Sequence, residues 1–131
     1  MKIRIALSLS VLCLVLPLAH AQTSTTAPAP PASKQTFYMK LVAPRPTFAQ
    51  DMSPEETKLM VAHAAYWKQV YTTGKVLIIG PVLDAKGAFG MAVLEVANED
   101  EAWTLANADP SVKAGLNKVE LSPMKVFLMR K

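Results

Sequence analysis

Three side chains in this sequence stand out for chemistry: a histidine inside an apolar helical stripe, a carboxylate set before a proline, and an arginine between two prolines. His63 lies three residues after Met60 and four after Leu59, and three before Tyr66 and four before Trp67. Helical spacing therefore puts it in the middle of a face that should be buried. Imidazole titrates near neutrality, with a reference pKa of about 6.5, so acid–base work is what His63 can offer. The same position also suits a buried histidine that is merely hydrogen-bonded and turns nothing over. Asp109 precedes Pro110, which disfavours the α conformation for it and projects its carboxylate from a turn. Arg45, between Pro44 and Pro46, is aimed from a strand end either as a clamp for an anionic ligand or as a solvated surface cation. Tyr66 and Trp67 read first as core and second as walls of a small apolar pocket containing His63. Ser111, close to Asp109 along the chain, completes the candidate ligand contacts.

Other chemistries lack their parts. The chain has one cysteine and two histidines, and Cys13 and His20 both fall in a leader-like segment. The rest of the chain holds a lone histidine and scattered carboxylates, which do not make a zinc site. There is no dinucleotide fingerprint, phosphate loop or nucleophile elbow, and Gly87-Ala88-Phe89-Gly90 reads as hairpin glycine. No metal or cofactor is expected.

The elements that must position these residues are legible. Ser53-Pro54-Glu55-Glu56 opens the helix that carries His63: Ser53 at the N-cap, Pro54 at N1 and Glu56 at N3 of a capping box. The stripe Leu59, Met60, Tyr66, Trp67 and Val70 runs down it, and Gly74 suits its C-terminal cap. A first strand over Phe37–Val42 precedes it, joined by a loop from Thr47 to Met52. Val76–Ile79 is apolar at every position and predicts a buried strand, with a bulge or bend at Gly80-Pro81 before Val82-Leu83. Asp84-Ala85-Lys86-Gly87 is a hairpin turn, and Phe89–Val96 the next strand, where Gly90 predicts a close backbone approach. Asn98 caps a second helix whose buried side should carry Ala102, Trp103, Leu105 and Ala106. A helical turn over Val112–Leu116 and a last strand from Val119 to Phe127 or Met129 finish the chain. The order βαββαβ predicts a ferredoxin-like α+β fold, a four-stranded antiparallel sheet with both helices on one face. The bare opposite face, and a domain small for a lone core, predict a homodimer packed sheet on sheet.

The N-terminus reads as an address. Lys2 and Arg4 precede an apolar run from Ile5 to Leu18, and Ala19-His20-Ala21 fits a cleavage site. Residues 1–21 are expected to be a signal peptide cut after Ala21, since the run is short of the roughly 20 residues of a membrane-spanning helix. Residues 22–35, rich in Thr, Ala and Pro, form a linker, and residues 36–131 the domain. Losing Lys2 and Arg4 leaves 12 basic against 10 acidic residues, a net charge of +2. That balance argues against nucleic acid or an anionic membrane surface as partner. A periplasmic or secreted protein with no membrane span after cleavage is expected.

With these residues in view, the chain resembles the YCII-related (YciI-like) family of small proteins. The likeness rests on Pro44-Arg45-Pro46-Thr47-Phe48, on Glu55-Glu56 with His63 and Tyr66-Trp67, on Gly80-Pro81-Val82 with Asp84 and Gly87, and on Ala108-Asp109-Pro110 with Gly115-Leu116. It spans about Phe37 to Phe127. The resemblance implies a dimeric α+β barrel and an active site built from a helix histidine and the aspartate of the Asp-Pro turn, here His63 and Asp109. The expected function is acid–base chemistry on a small molecule: elimination, isomerisation or hydrolysis. A non-catalytic binding module or a structural dimer is the alternative.

Overall fold

The computed structural model describes residues 33–129, so the signal-peptide reading and most of the linker lie outside the described residues. Strand β1 (Gln35–Val42) leads through a one-turn helix α1 (Phe48–Asp51) into the long helix α2 (Pro54–Thr72). Then come β2 (Val76–Val82), β3 (Phe89–Val96), α3 (Glu99–Ala108), a second one-turn helix α4 (Pro110–Lys113) and β4 (Lys118–Met124). The four strands form one antiparallel sheet in the order β2-β3-β1-β4. This is the ferredoxin-like arrangement that the element order predicts. No helix among the described residues is long and apolar enough to cross a membrane.

Alternation along the strands sorts the two faces. Phe37 pairs with Leu94 and Met39 with Ala92, and all four point into the core. Trp67 and Val70 of α2 and Ala102 and Ala106 of α3 cover them on that side. The two alanines are completely buried, so α3 lies close against the sheet. Burying a side chain such as Phe37 or Leu94 contributes about 1.5–3 kcal/mol each. The opposite face carries Tyr38, Met91, Val93 and Ile78, interspersed with Lys40, Glu95 and Glu120.

The caps form as the sequence dictates. Ser53 Oγ accepts from the Glu56 amide at 3.2 Å, and Glu56 Oε2 accepts from the Ser53 amide at 2.8 Å. Asn98 Oδ1 accepts from the Glu101 amide at 2.9 Å. Gly74 takes φ +74 just past α2, a left-handed value that a Cβ would oppose.

Several local expectations need correction. The apolar run Val76–Ile79 is an edge strand, with Ile78 56% exposed. Its apolar character arises from having one face on the core and one on the open side of the sheet. The register shift falls between Val76 and Ile78, before Gly80-Pro81. Pro81 pairs with Gly90 without disruption, because an edge strand lets its absent N–H face outward. Gly90 is tightly enclosed as expected: a Cβ there would lie 3.1 Å from Leu41 Cβ. The Thr47–Met52 loop contains α1, whose Phe48 is buried. The second helical turn begins at Pro110 rather than Val112, since the Asp109 side chain caps it. β4 stops at Met124, which pairs with Thr36 near the start of β1, so the chain beyond has no neighbouring strand. Phe127 is 92% exposed there. Trp103 is absent from the core; its indole lies toward Glu99 on its own helix, at 3.4 Å.

Candidate active site

Asp109 is the C-cap of α3 and the N-cap of α4, and it is completely buried. Four donors converge on its carboxylate. Oδ1 accepts from the Ser111 amide at 2.8 Å and from Ser111 Oγ at 2.9 Å. Oδ2 accepts from Trp67 Nε1 at 2.8 Å and lies 2.6 Å from His63 Nδ1. Burial alone would raise the pKa of such a group. The hydrogen bonds from His63 and Trp67, the adjacent imidazole charge and the Ser111 amide outweigh it and hold the carboxyl below its ordinary value. An ionised carboxylate only accepts, so His63 Nδ1 must carry the proton it shares with Oδ2. In the neutral ring, Nε2 then holds the free lone pair.

The His63 side chain is 18% exposed and lines a cavity of about 310 Å³ between α2, α1 and the sheet. Met39, Leu41, Phe48, Met60 and Ile79 supply most of its apolar wall. Among the described residues the only polar side chains on the wall are His63 and Asn117, and none carries a fixed charge. A base facing an apolar, uncharged space of ligand size is suited to taking a proton from a bound small molecule.

The structure separates the sequence-predicted site residues into three groups. His63 and Asp109 meet, as the family resemblance implies. Trp67 and Ser111 do not reach the cavity: both are buried and serve as donors to Asp109. Tyr66 also lies outside it, bridging α2 to α3 through a 2.8 Å bond from its hydroxyl to the Leu105 carbonyl. Burial, with the Asp109 charge second, raises the Tyr66 pKa and keeps that hydroxyl a donor. None of the three lines the cavity.

Arg45 does not line the cavity. Its guanidinium is engaged by protein carboxylates: Nη1 and Nη2 reach Glu56 at 2.7 and 2.8 Å, and Nε reaches Asp51 at 2.7 Å. Nη2 also donates to the Asp51 carbonyl at 2.9 Å. Each partner strengthens the other's charge, raising the arginine pKa and holding Glu56 at about 2. Arg45 is thus a clasp that fixes α1 to the first turn of α2, with four of its five N–H donors engaged by the protein itself. Its carboxylate partners came from the capping box and the preceding loop, which nothing in the Pro-Arg-Pro motif announces.

Asn117 is the functional candidate that sequence reasoning missed. It sits between the α4 turn and β4, only 3% exposed, and its Nδ2 donates to Met60 Sδ at 3.2 Å. An asparagine flanking a turn carries no signal of its own in sequence, because asparagine is an ordinary turn residue.

A family model for the YCII-related domain matches residues 36–125. The chain belongs to the YCII-related family. None of the curated proteins matches the sequence. Among solved structures, this YCII-related chain is similar in fold to 5-chloro-2-hydroxyhydroquinone dehydrochlorinase (TftG) from Burkholderia phenoliruptrix AC1100, in complex with 2,5-dihydroxybenzoquinone. The identity is 23% and the TM-score 0.52, over 68% of this chain and 93% of the other. The uncharacterized protein TM1266 from Thermotoga maritima is a more distant likeness, at 14% identity and a TM-score of 0.47, over 70% of this chain and 99% of that one.

Proposed function

We propose that this YCII-related protein is an enzyme that uses His63 as a general base on a small ring compound held in the cavity. The carrying observation is the 2.6 Å contact between His63 Nδ1 and a fully buried Asp109, which leaves Nε2 as the basic nitrogen of a cavity-lining ring. Nε2 takes a proton from a hydroxyl or acidic carbon of the ligand. The electron pair left behind moves into the ligand. It then either expels a leaving group, which departs with its bonding electrons, or is reprotonated at a second carbon by the imidazolium. The first course is an elimination and the second an isomerisation. Asp109 stabilises the imidazolium in either course, and Trp67 and Ser111 keep the carboxylate from rotating. A dehydrochlorinase of the same fold, complexed with 2,5-dihydroxybenzoquinone, supports elimination from hydroxylated rings as the first class to try.

Chloride release from 5-chloro-2-hydroxyhydroquinone, followed alongside the ultraviolet spectrum, tests the reading. His63→Ala should lower kcat/KM by about 10²–10⁴-fold, the usual contribution of a positioned base, with the melting temperature close to wild type. Undiminished turnover by that variant would refute the base. Binding without turnover by the wild-type protein would establish the non-catalytic binding module instead. The proposal extends to assembly and place of action: a homodimer closed over the open sheet face, exported by the leader of residues 1–21.

A further inference from the structure

We infer that Asn117 is a second ligand contact in the His63 cavity, and that the ligand it helps select is uncharged, ring-sized and carries at least one hydroxyl or keto group. The inference rests on the cavity being the substrate site and adds to it the polarity that the substrate must have.

Burying a side-chain amide is unfavourable by about 1–3 kcal/mol unless its hydrogen-bonding groups are met. Asn117 has two N–H donors and an acceptor oxygen. Among the described residues the one side-chain bond it makes is to Met60 Sδ, and a thioether is a weak acceptor. No fully buried polar side-chain atom among the described residues is left without a partner, so the amide atoms that Met60 does not meet keep some exposure, at a residue that lines the cavity. The position of the amide is built with care. Gly115, at φ +71, closes α4 in a Schellman turn: its N–H bonds the Val112 carbonyl at 2.9 Å, and the Leu116 N–H bonds the Ser111 carbonyl at 2.9 Å. The Asn117 N–H shares that Ser111 carbonyl at 3.2 Å. Ser111 therefore holds the Asp109 carboxylate with its side chain and amide, and the Asn117 backbone with its carbonyl. One serine sets the spacing between the base and the second polar group.

The rest of the wall fixes the chemical class. With every other lining side chain among the described residues apolar, a carboxylate or phosphate would lose its water and meet no permanent cation, since Arg45 is engaged elsewhere. A volume of about 310 Å³ is at the small end for ligand sites and suits a single substituted ring. His63 Nε2 takes a hydroxyl proton, and the Asn117 amide meets a second oxygen.

Hydroquinone, toluene and 4-hydroxybenzoate test this by titration into wild-type protein and Asn117→Leu, with ¹⁵N NMR following the Asn117 side-chain amide. Hydroquinone should shift that amide and bind at least tenfold more tightly than 4-hydroxybenzoate. Asn117→Leu should weaken hydroquinone about three- to tenfold, the value of one neutral hydrogen bond, and leave toluene unchanged or tighter. Asn117→Ser repeats the comparison if the leucine variant melts early. Equal hydroquinone affinity in wild type and a folded Asn117 variant overturns the inference, as does 4-hydroxybenzoate binding as tightly as hydroquinone, or no hydroquinone binding at millimolar concentration. Binding is read without turnover, so a failure of His63 as base shows only in the His63→Ala kinetics and leaves this outcome intact.

Discussion

Replacing Asp109 by asparagine changes one oxygen to an NH₂ group and nothing in volume, yet no orientation of the new amide satisfies the site. If its oxygen stays toward Ser111, the NH₂ faces Trp67 Nε1 and His63 Nδ1, where Oδ2 stood at 2.8 and 2.6 Å. The indole can only donate, so its N–H is orphaned. The imidazole can respond only by moving its proton to Nε2, which turns that nitrogen from a base into a donor. If the amide flips, the NH₂ faces the Ser111 backbone N–H, formerly at 2.8 Å from Oδ1, and that donor is orphaned. Either way one buried N–H loses its acceptor, at about 1–3 kcal/mol. For a domain of this size that corresponds to a fall of roughly 5–20 °C in melting temperature. Turnover should fall by about 10²–10⁴ in the first orientation, through the wrong tautomer. Denaturant unfolding gives the stability change, and long-range ¹H–¹⁵N spectra of the His63 ring give the tautomer. An Asp109→Asn protein within about 0.5 kcal/mol of wild type, with normal turnover, would refute the four-donor account.

The remaining predictions concern acid and assembly. Glu56 is held at about 2, below its ordinary 4.5, by hydrogen bonds from Arg45 first and from the Ser53 amide second. Asp51 and Asp109 are shifted the same way. Carboxylates depressed in the folded state stabilise it fully above about pH 4.5, and that stability is lost as the pH falls toward 2, because the unfolded chain takes up protons first. Denaturant midpoints from pH 6 to pH 2 should decline over that window, and Glu56→Gln should flatten part of the slope; an unchanged slope would sink the clasp. Protein recovered from an exporting host should have an intact mass starting at Gln22 and scatter light as a dimer at micromolar concentration. A monomer, or chains retaining Met1, would overturn the assembly or the export reading respectively.

The fold was largely legible because its signals are local. Ser53, Pro54 and Glu56 define a helix start within four residues, and Asn98 does the same for α3. What escaped depends on chain neighbours that sequence does not reveal. Val76–Ile79 reads as interior because period-2 alternation disappears when both faces are apolar, and only the sheet order makes it an edge. Arg45 looked free because Asp51 and Glu56, which occupy it, lie six and eleven residues away, across a turn. The dyad was within reach as a histidine on an apolar face and an aspartate before proline, but its support was not. Trp67 looks like any core aromatic until its indole N–H is seen to reach Asp109, 42 residues on.

Three of the cavity-lining side chains are methionines: Met39, Met52 and Met60. An unbranched, polarisable thioether with several free torsions follows the outline of whatever lies against it. The dyad and Asn117 fix where hydrogen bonds are exchanged, while the wall around them yields. Such a cavity ranks compounds by overall bulk and by the placing of their oxygens, and discriminates poorly between ring substitution patterns. A related compound can then be accepted without any change in sequence.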